Sequence, residues 1–209
     1  MSTDPGNRPP EAFTPLEGLA KKLSILFILE AVLGFVAVFF TQVTFIPSII
    51  ALVALVAFLL WFYRANRNLR ALGGTGLRFT PGWAVVWWFV PIANFWMPYK
   101  AAVEMAKAGD PSVGATDREI RSQLKAPRLI LIWWVFSIAS LAALILVAAA
   151  AVIWSASDAD AFASGENMPF ELAGAGLTAA NLWLTILVIR EITMRQTLKI
   201  QAFRSAGTA

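Results

Sequence analysis

Long apolar runs separated by short charged stretches dominate the chain. Four of them, residues 23–44, 45–63, 129–154 and 172–189, approach or exceed the roughly 20 residues that a helix needs to cross a hydrocarbon core about 30 Å thick. The first two meet at Thr41-Gln42-Val43-Thr44, and Pro47 falls just inside the second helix, where a missing N–H is harmless. An antiparallel hairpin is expected there. A fifth run, residues 81–99, is apolar but interrupted. Pro91 and Pro98 each remove a backbone donor and divide it into pieces of about ten residues, each about 15 Å long at helical rise and half a bilayer in depth. The pattern therefore predicts an all-α integral membrane protein. Its architecture is a four-transmembrane-helix bundle with an additional Pro-broken re-entrant or interfacial helical hairpin between spans 2 and 3. Residues 1–22 read as a disordered tail, 23–203 as the membrane domain and 204–209 as a short C-terminal tail.

Charge supplies the orientation. Between the second run and Pro81 stand Arg64, Arg67, Arg70 and Arg78 with no acid, whereas residues 155–171 carry Asp158, Asp160, Glu166 and Glu171 with no base. By the positive-inside rule the first loop faces the cytoplasm and the second faces outside, so both termini are expected in the cytoplasm of a multi-pass protein. Trp61, Trp133 and Trp134 then fall near the cytoplasmic interface and Trp154 near the outer one. The first run is expected to persist, because the segment before it is long and partly acidic and no small-residue cleavage site follows it. Both flanks of residues 81–99 are basic, which excludes a single crossing. Either a hairpin dips into the cytoplasmic leaflet, its broken backbone near Pro91 shielded by other helices, or the segment lies flat with Trp83, Trp87, Trp88, Trp96 and Tyr99 among the headgroups. The dipping form is preferred, since a flat helix should show a clearer polar face.

Composition narrows the chemistry. Hydrophobic residues make up 58% and charged residues 14% of the chain, too apolar a balance for a soluble core to hide. Cys and His are both absent, which removes thiolate chemistry and the side chain most used near neutral pH and for transition metals. No metal or cofactor is expected. The loop from Leu72 to Leu77 lacks the Gly-Lys-Ser/Thr of a phosphate loop, and the net charge of +4 is explained by topology without nucleic acid. Asp110, Asp117 and Glu119 match no ligand spacing and read as a solvated helix start.

From Trp61 to Pro111 the chain reads WFYRANRNLRALGGTGLRFTPGWAVVWWFVPIANFWMPYKAAVEMAKAGDP. Through Arg64, Asn68, Leu69, Pro81, Gly82, Trp83, Trp87, Trp88, Phe89, Pro91, Asn94, Pro98 and Tyr99 it resembles the bacterial multi-spanning membrane family known as domain of unknown function 4328. The resemblance implies a bacterial inner-membrane location and the same four-span plan, and it carries no activity or ligand.

Polar residues inside the runs are the remaining candidates. Glu30 lies about 10 Å inside the first span at helical rise, on a face with Gly34 and Thr41, and should meet protein or water. The fourth span carries the stripe Gly174, Thr178, Asn181, Thr185, suited to close approach and interhelical hydrogen bonds. A cluster of Glu30 with Asn181 or Thr185, joined by Asn94 from the hairpin tip, is expected. Ala51, Ala54, Ala57 and Trp61, continuing to Arg64 and Asn68, form a packing seam, and Ser137 and Ser140 are expected to back-bond to their own helix. Arg64, Arg67, Arg70 and Arg78 are expected to contact anionic lipid. The functional expectation is a non-enzymatic inner-membrane module, scaffold or regulatory, with a membrane-protein partner or a second copy of the chain. The alternative is a small transporter or channel built on Glu30 and the Pro91 hairpin.

Overall fold

A computed structural model describes residues 13–40, 45–112, 122–157 and 168–206. The expected tail at 1–12, the turn at 41–44, Asp117, Glu119, the Trp154 side chain and the acidic loop with Asp158, Asp160 and Glu166 lie outside the described residues. Among the described residues the chain is helical, with no strand. Four helices are long and apolar enough to span a membrane: α1 (Glu17–Phe39), α2 (Phe45–Ala71), α5 (Arg128–Ser157) and α6 (Met168–Ala206). Between α2 and α5 lie a short helix α3 (Pro81–Val86), a 3-10 turn (Ala93–Phe95) and α4 (Met97–Ala108).

Three of the four helices run well past the expected spans. The first begins at Glu17, so residues 17–22 are helical instead of tail, because Leu16, Ala20, Leu23 and Phe27 form one buried stripe at helical spacing. The second continues beyond Tyr63 to Ala71, and α6 continues beyond Ile189 to Ala206. These polar extensions stay helical because each still has a face to bury: Ala65 and Leu69 on α2, Ile192, Gln196 and Ile200 on α6. At about 1.5 Å per residue, α6 projects roughly 24 Å past Arg190.

The spanning layer is held by α1 against α6, α1 against α2 and α5 against α6, while α4 touches α2, α5 and α6 near the basic end. Close packing concentrates at that end. Trp61, Phe62, Leu69, Met105, Ile130 and Ile192 are fully buried there, whereas Phe39, Ile49, Ile145, Leu146 and Ile153 in the other half stay exposed as lipid-facing surface. The expected seam on α2 is present in part. Ala54, Trp61 and Asn68 are buried, but Phe58 and Ala65 complete the stripe and Arg64 stands outside it, exposed.

Candidate functional site

The end of α2 illustrates how sequence builds the basic end. Gly73 takes a left-handed φ of 77°, its N–H donates to Arg70 O and that of Gly74 to Leu69 O, the two bonds that close a helix C-terminus of this kind. A Cβ on Gly74 would fall 2.7 Å from Leu69 O, so both glycines of Leu72-Gly73-Gly74 are required. The loop then returns along α4. Glu104 accepts from the backbone N–H of Arg78 at 2.6 Å and of Phe79 at 3.1 Å, and Arg70 donates to Phe79 O at 2.8 Å and to Asn66 Oδ1 at 3.1 Å. Thr80 caps α3 by accepting from Trp83 N–H, with Pro81 in the first turn.

Beneath the loop lies a buried polar core that the sequence reading did not identify. Asn68 donates to Thr14 O at 2.8 Å and to Gln196 Oε1 at 3.3 Å, and accepts from Thr14 N–H at 3.1 Å. Gln196 donates to Ala65 O at 2.9 Å, and Trp61 Nε1–H to Thr193 Oγ1 at 3.2 Å. Lys199, only 3% exposed, places its ammonium 2.7 Å from Ala108 O at the C-terminus of α4, where the helix dipole favours a cation. Arg195 bridges Asp110 at 2.7 Å and Glu191 at 2.6 Å. Partial burial pushes the Asp110 carboxyl up, but hydrogen bonds from Ser112 and the adjacent Arg195 guanidinium outweigh it and hold the group below the usual carboxylate range. The available signal was the exit sequence Arg190-Glu-Ile-Thr-Met-Arg-Gln196, whose polar residues recur at helical spacing.

The segment 81–99 leaves its short helix for turns and a 3-10 step, as its prolines require. Trp88 is its anchor, with ring centroids 5.2 Å from Phe58 and 5.6 Å from Phe62 on α2, and 5.9 Å from Trp134 and 6.4 Å from Trp133 on α5. Its Nε1–H is buried without a partner among the described residues, whereas Trp134 Nε1–H donates to Phe95 O at 2.9 Å. Phe89, Ile92 and Phe95 point away from the protein, 65%, 72% and 54% exposed. Of the motif residues, Asn68 and Pro98 are buried, Trp83 pairs with Trp87 at 5.2 Å, and Gly82 and Pro91 lie on the surface.

The expected intramembrane cluster does not assemble. The stripe on α6 exists, but its main partner is α5. Trp133 Nε1–H donates to Thr185 Oγ1 at 2.9 Å, the Ser137 hydroxyl lies 2.7 Å from Asn181 Oδ1, and a Cβ on Gly174 would touch Leu144. Ser137 also lies 2.8 Å from Trp133 O, its expected back-bond, while Ser140 is buried with no hydrogen-bond partner among the described residues. Glu30 instead borders a separate cavity of about 320 Å³ between α1 and α6, with Gly34, Glu171, Gly174 and Thr178. No hydrogen bond joins it to Asn181, Thr185 or Asn94 among the described residues. Asn94 is half-buried in the 3-10 turn beside α5. Glu30 and the Pro91 segment thus have different neighbours: Glu30 borders the α1–α6 cavity, and the segment packs on α2 and α5. The four arginines also divide. Arg64 and Arg67 are exposed, Arg70 is committed to Asn66 and Phe79, and Arg78 lines a cavity beside α4.

Two further surface features complete the basic end. A groove of about 880 Å³ runs between the start of α1 and the extension of α6, with Lys21, Ile186, Arg190, Met194 and Leu198 among its walls. Glu17 at its rim accepts from the Thr197 hydroxyl. The second is the cavity of about 400 Å³ beside α4.

Fold and site together define a polytopic, all-helical membrane protein with a packed polar platform at its basic end. The sequence profile described as Domain of unknown function (DUF4328) matches residues 27–194, and the chain belongs to that family. No curated protein and no solved structure matches it.

Proposed function

We propose that this protein is a non-enzymatic module of the bacterial inner membrane, scaffold or regulatory, that presents a rigid platform to the cytoplasm and recruits a helical segment of another membrane protein there. The observation that carries this reading is the groove between α1 and α6. Met194 and Leu198 in its wall are 52% and 45% exposed, yet they lie about 6 to 12 Å past Arg190, beyond the hydrocarbon. Exposed apolar residues in water along a groove suit an amphipathic partner helix. Three groups at this end that could do chemistry are committed to structure: Glu104 to two backbone amides, Asp110 to Arg195, Lys199 to Ala108 O.

Orientation follows from charge: Arg64, Arg67, Arg78 and the basic end of α6 face the cytoplasm, and Arg64 and Arg67 touch anionic headgroups. Residues 81–99 form a shallow re-entrant hairpin. With Arg64 and Arg128 at headgroup level, Phe58, Phe62 and Trp134, which hold Trp88 and Phe95, lie about 3 to 9 Å below it. The outward Phe89, Ile92 and Phe95 then meet lipid.

The test is cross-linking in native membranes followed by purification. A specific membrane-protein partner should be captured by the parent chain and lost in Met194→Glu/Leu198→Glu, with folding unchanged by circular dichroism. Capture that is indifferent to both substitutions would overturn the reading. The Glu30 cavity favours transport as a second reading, and ion flux in proteoliposomes that falls in Glu30→Gln would put it first.

A further inference from the structure

We propose that the basic cavity between loop 72–80 and α4 is a specific site for an anionic phospholipid, with the headgroup phosphate among Arg78, Lys100 and Lys107 and an acyl chain along Trp83, Trp87 and Met97. The cavity holds about 400 Å³ and is walled by those three cations together with Phe79, Tyr99 and Glu104. Glu104, the one acid among its described wall residues, is already engaged, since its two oxygens accept backbone N–H groups of Arg78 and Phe79. Lys100 and Lys107, seven residues apart on one face of α4, make no ion pair with any described residue. The Arg78 guanidinium lies 5.7 Å from the Phe79 ring centroid and makes no ion pair among the described residues. Three cations without an acidic partner among the described residues surround one concavity and match a phosphate in charge and donor number.

A neighbouring cavity identifies the kind of phosphate. About 290 Å³ in volume, it shares Arg78 and Phe79 with the first and is otherwise walled by Thr80, Trp83, Trp87 and Met97. The Trp83 and Trp87 rings lie 5.2 Å apart, and Trp83 is 53% exposed. A soluble phosphorylated molecule would use the first cavity alone. A phospholipid uses both, its headgroup on the cations and its chain on the indoles, which lead toward the lipid-facing Phe89. The proposed orientation decides only which leaflet supplies the lipid.

Native mass spectrometry of the full chain in mild detergent tests the site whatever the orientation or partner, so its failure is distinguishable from failure of the scaffold reading. Phosphatidylglycerol should be retained at least about tenfold better than phosphatidylcholine of the same chains, because both carry the phosphate but choline sets a fourth cation against Arg78, Lys100 and Lys107. Arg78→Gln/Lys100→Gln/Lys107→Gln should abolish that preference, Lys100→Gln alone should reduce it, and Lys22→Gln/Lys125→Gln/Arg204→Gln, which removes equal charge elsewhere, should leave it intact. Trp83→Ala/Trp87→Ala should weaken phosphatidylglycerol binding and leave any glycerol 3-phosphate binding unchanged. Equal loss in the two charge-removed variants would reduce the site to diffuse attraction and overturn the proposal. Displacement of the lipid by equimolar glycerol 3-phosphate would overturn it in favour of a soluble ligand.

Discussion

Replacing Trp88 by Ala and by Phe should give very different costs. In lipid there is no hydrophobic force between helices, so the value of Trp88 must come from the contacts it makes. Its ring meets Phe58, Phe62, Trp134 and Trp133 at 5.2, 5.6, 5.9 and 6.4 Å, all within the range of productive aromatic pairs. At about 0.5–1.5 kcal/mol per pair, Trp88→Ala should cost about 3 to 4 kcal/mol and unlock the hairpin from α2 and α5. Trp88→Phe keeps a ring in place and removes a buried N–H that has no acceptor. Relief of that donor, worth about 1–3 kcal/mol, offsets the lost volume, and the net change should stay within about 1 kcal/mol of zero. Trp133→Phe is the comparator. It breaks the bond to Thr185 and should cost about 1–2 kcal/mol. Reversible unfolding in mixed micelles, titrated with a denaturing detergent and followed by circular dichroism, measures all three. A Trp88→Phe variant as unstable as Trp88→Ala, or a neutral Trp88→Ala, would refute the reasoning.

Three further expectations concern the basic end. Asn68→Ala removes bonds to Thr14 and Gln196 and should cost about 2–4 kcal/mol, read as faster proteolysis near Thr14 and a lower melting temperature. Gly109→Ala would set a Cβ 2.9 Å from Met105 O and 3.1 Å from Gln196 Cγ, and should destabilise by about 1–3 kcal/mol in the same melts. The Asp110 carboxyl titrates below its unfolded value, near 3.9, so its contribution is full above about pH 4 and is lost as pH falls through the folded value. The stability advantage of the parent over Asp110→Asn should therefore vanish in acid; an advantage that persists or grows below pH 3 would contradict the assignment.

The membrane helices were legible because a bilayer demands a long apolar run and little else is needed to recognise one. Their extensions at the basic end were not, because a span rule stops at the first charges, and Asn68, Gln196 and Lys199 look like solvated residues until their partners are known. Glu30 shows the same limit in another form. Helical rise sets its expected level at Asn181 and Thr185, but it borders Gly174 and Thr178, a turn or more away along the same stripe, because the axial offset between α1 and α6 is set by packing and not by where the first charges stand. The stripe Gly174, Thr178, Asn181, Thr185 does face neighbouring helices: Asn181 and Thr185 hydrogen-bond with α5, and Gly174 and Thr178 border the cavity with α1. The arginines separate for a related reason: Arg70 and Arg78 have the same chemistry, and only the folded loop assigns one to Phe79 O and the other to a cavity wall.

Ile92 is the position that tests most directly whether residues 81–99 enter the membrane beneath the proposed cytoplasmic platform. At 72% exposure its side chain is left open by the described residues, and in the proposed hairpin lipid shields it. In the Cys-free background, Ile92→Cys and the loop variant Thr75→Cys would be treated with a membrane-impermeant maleimide added from the cytoplasmic side of inverted membrane vesicles. Rapid labelling at position 75 with slow labelling at 92, relieved when the membrane is dissolved in detergent, is the predicted result. Equally rapid labelling of both in the intact membrane would mean that the segment lies open to water, and the re-entrant reading would fall.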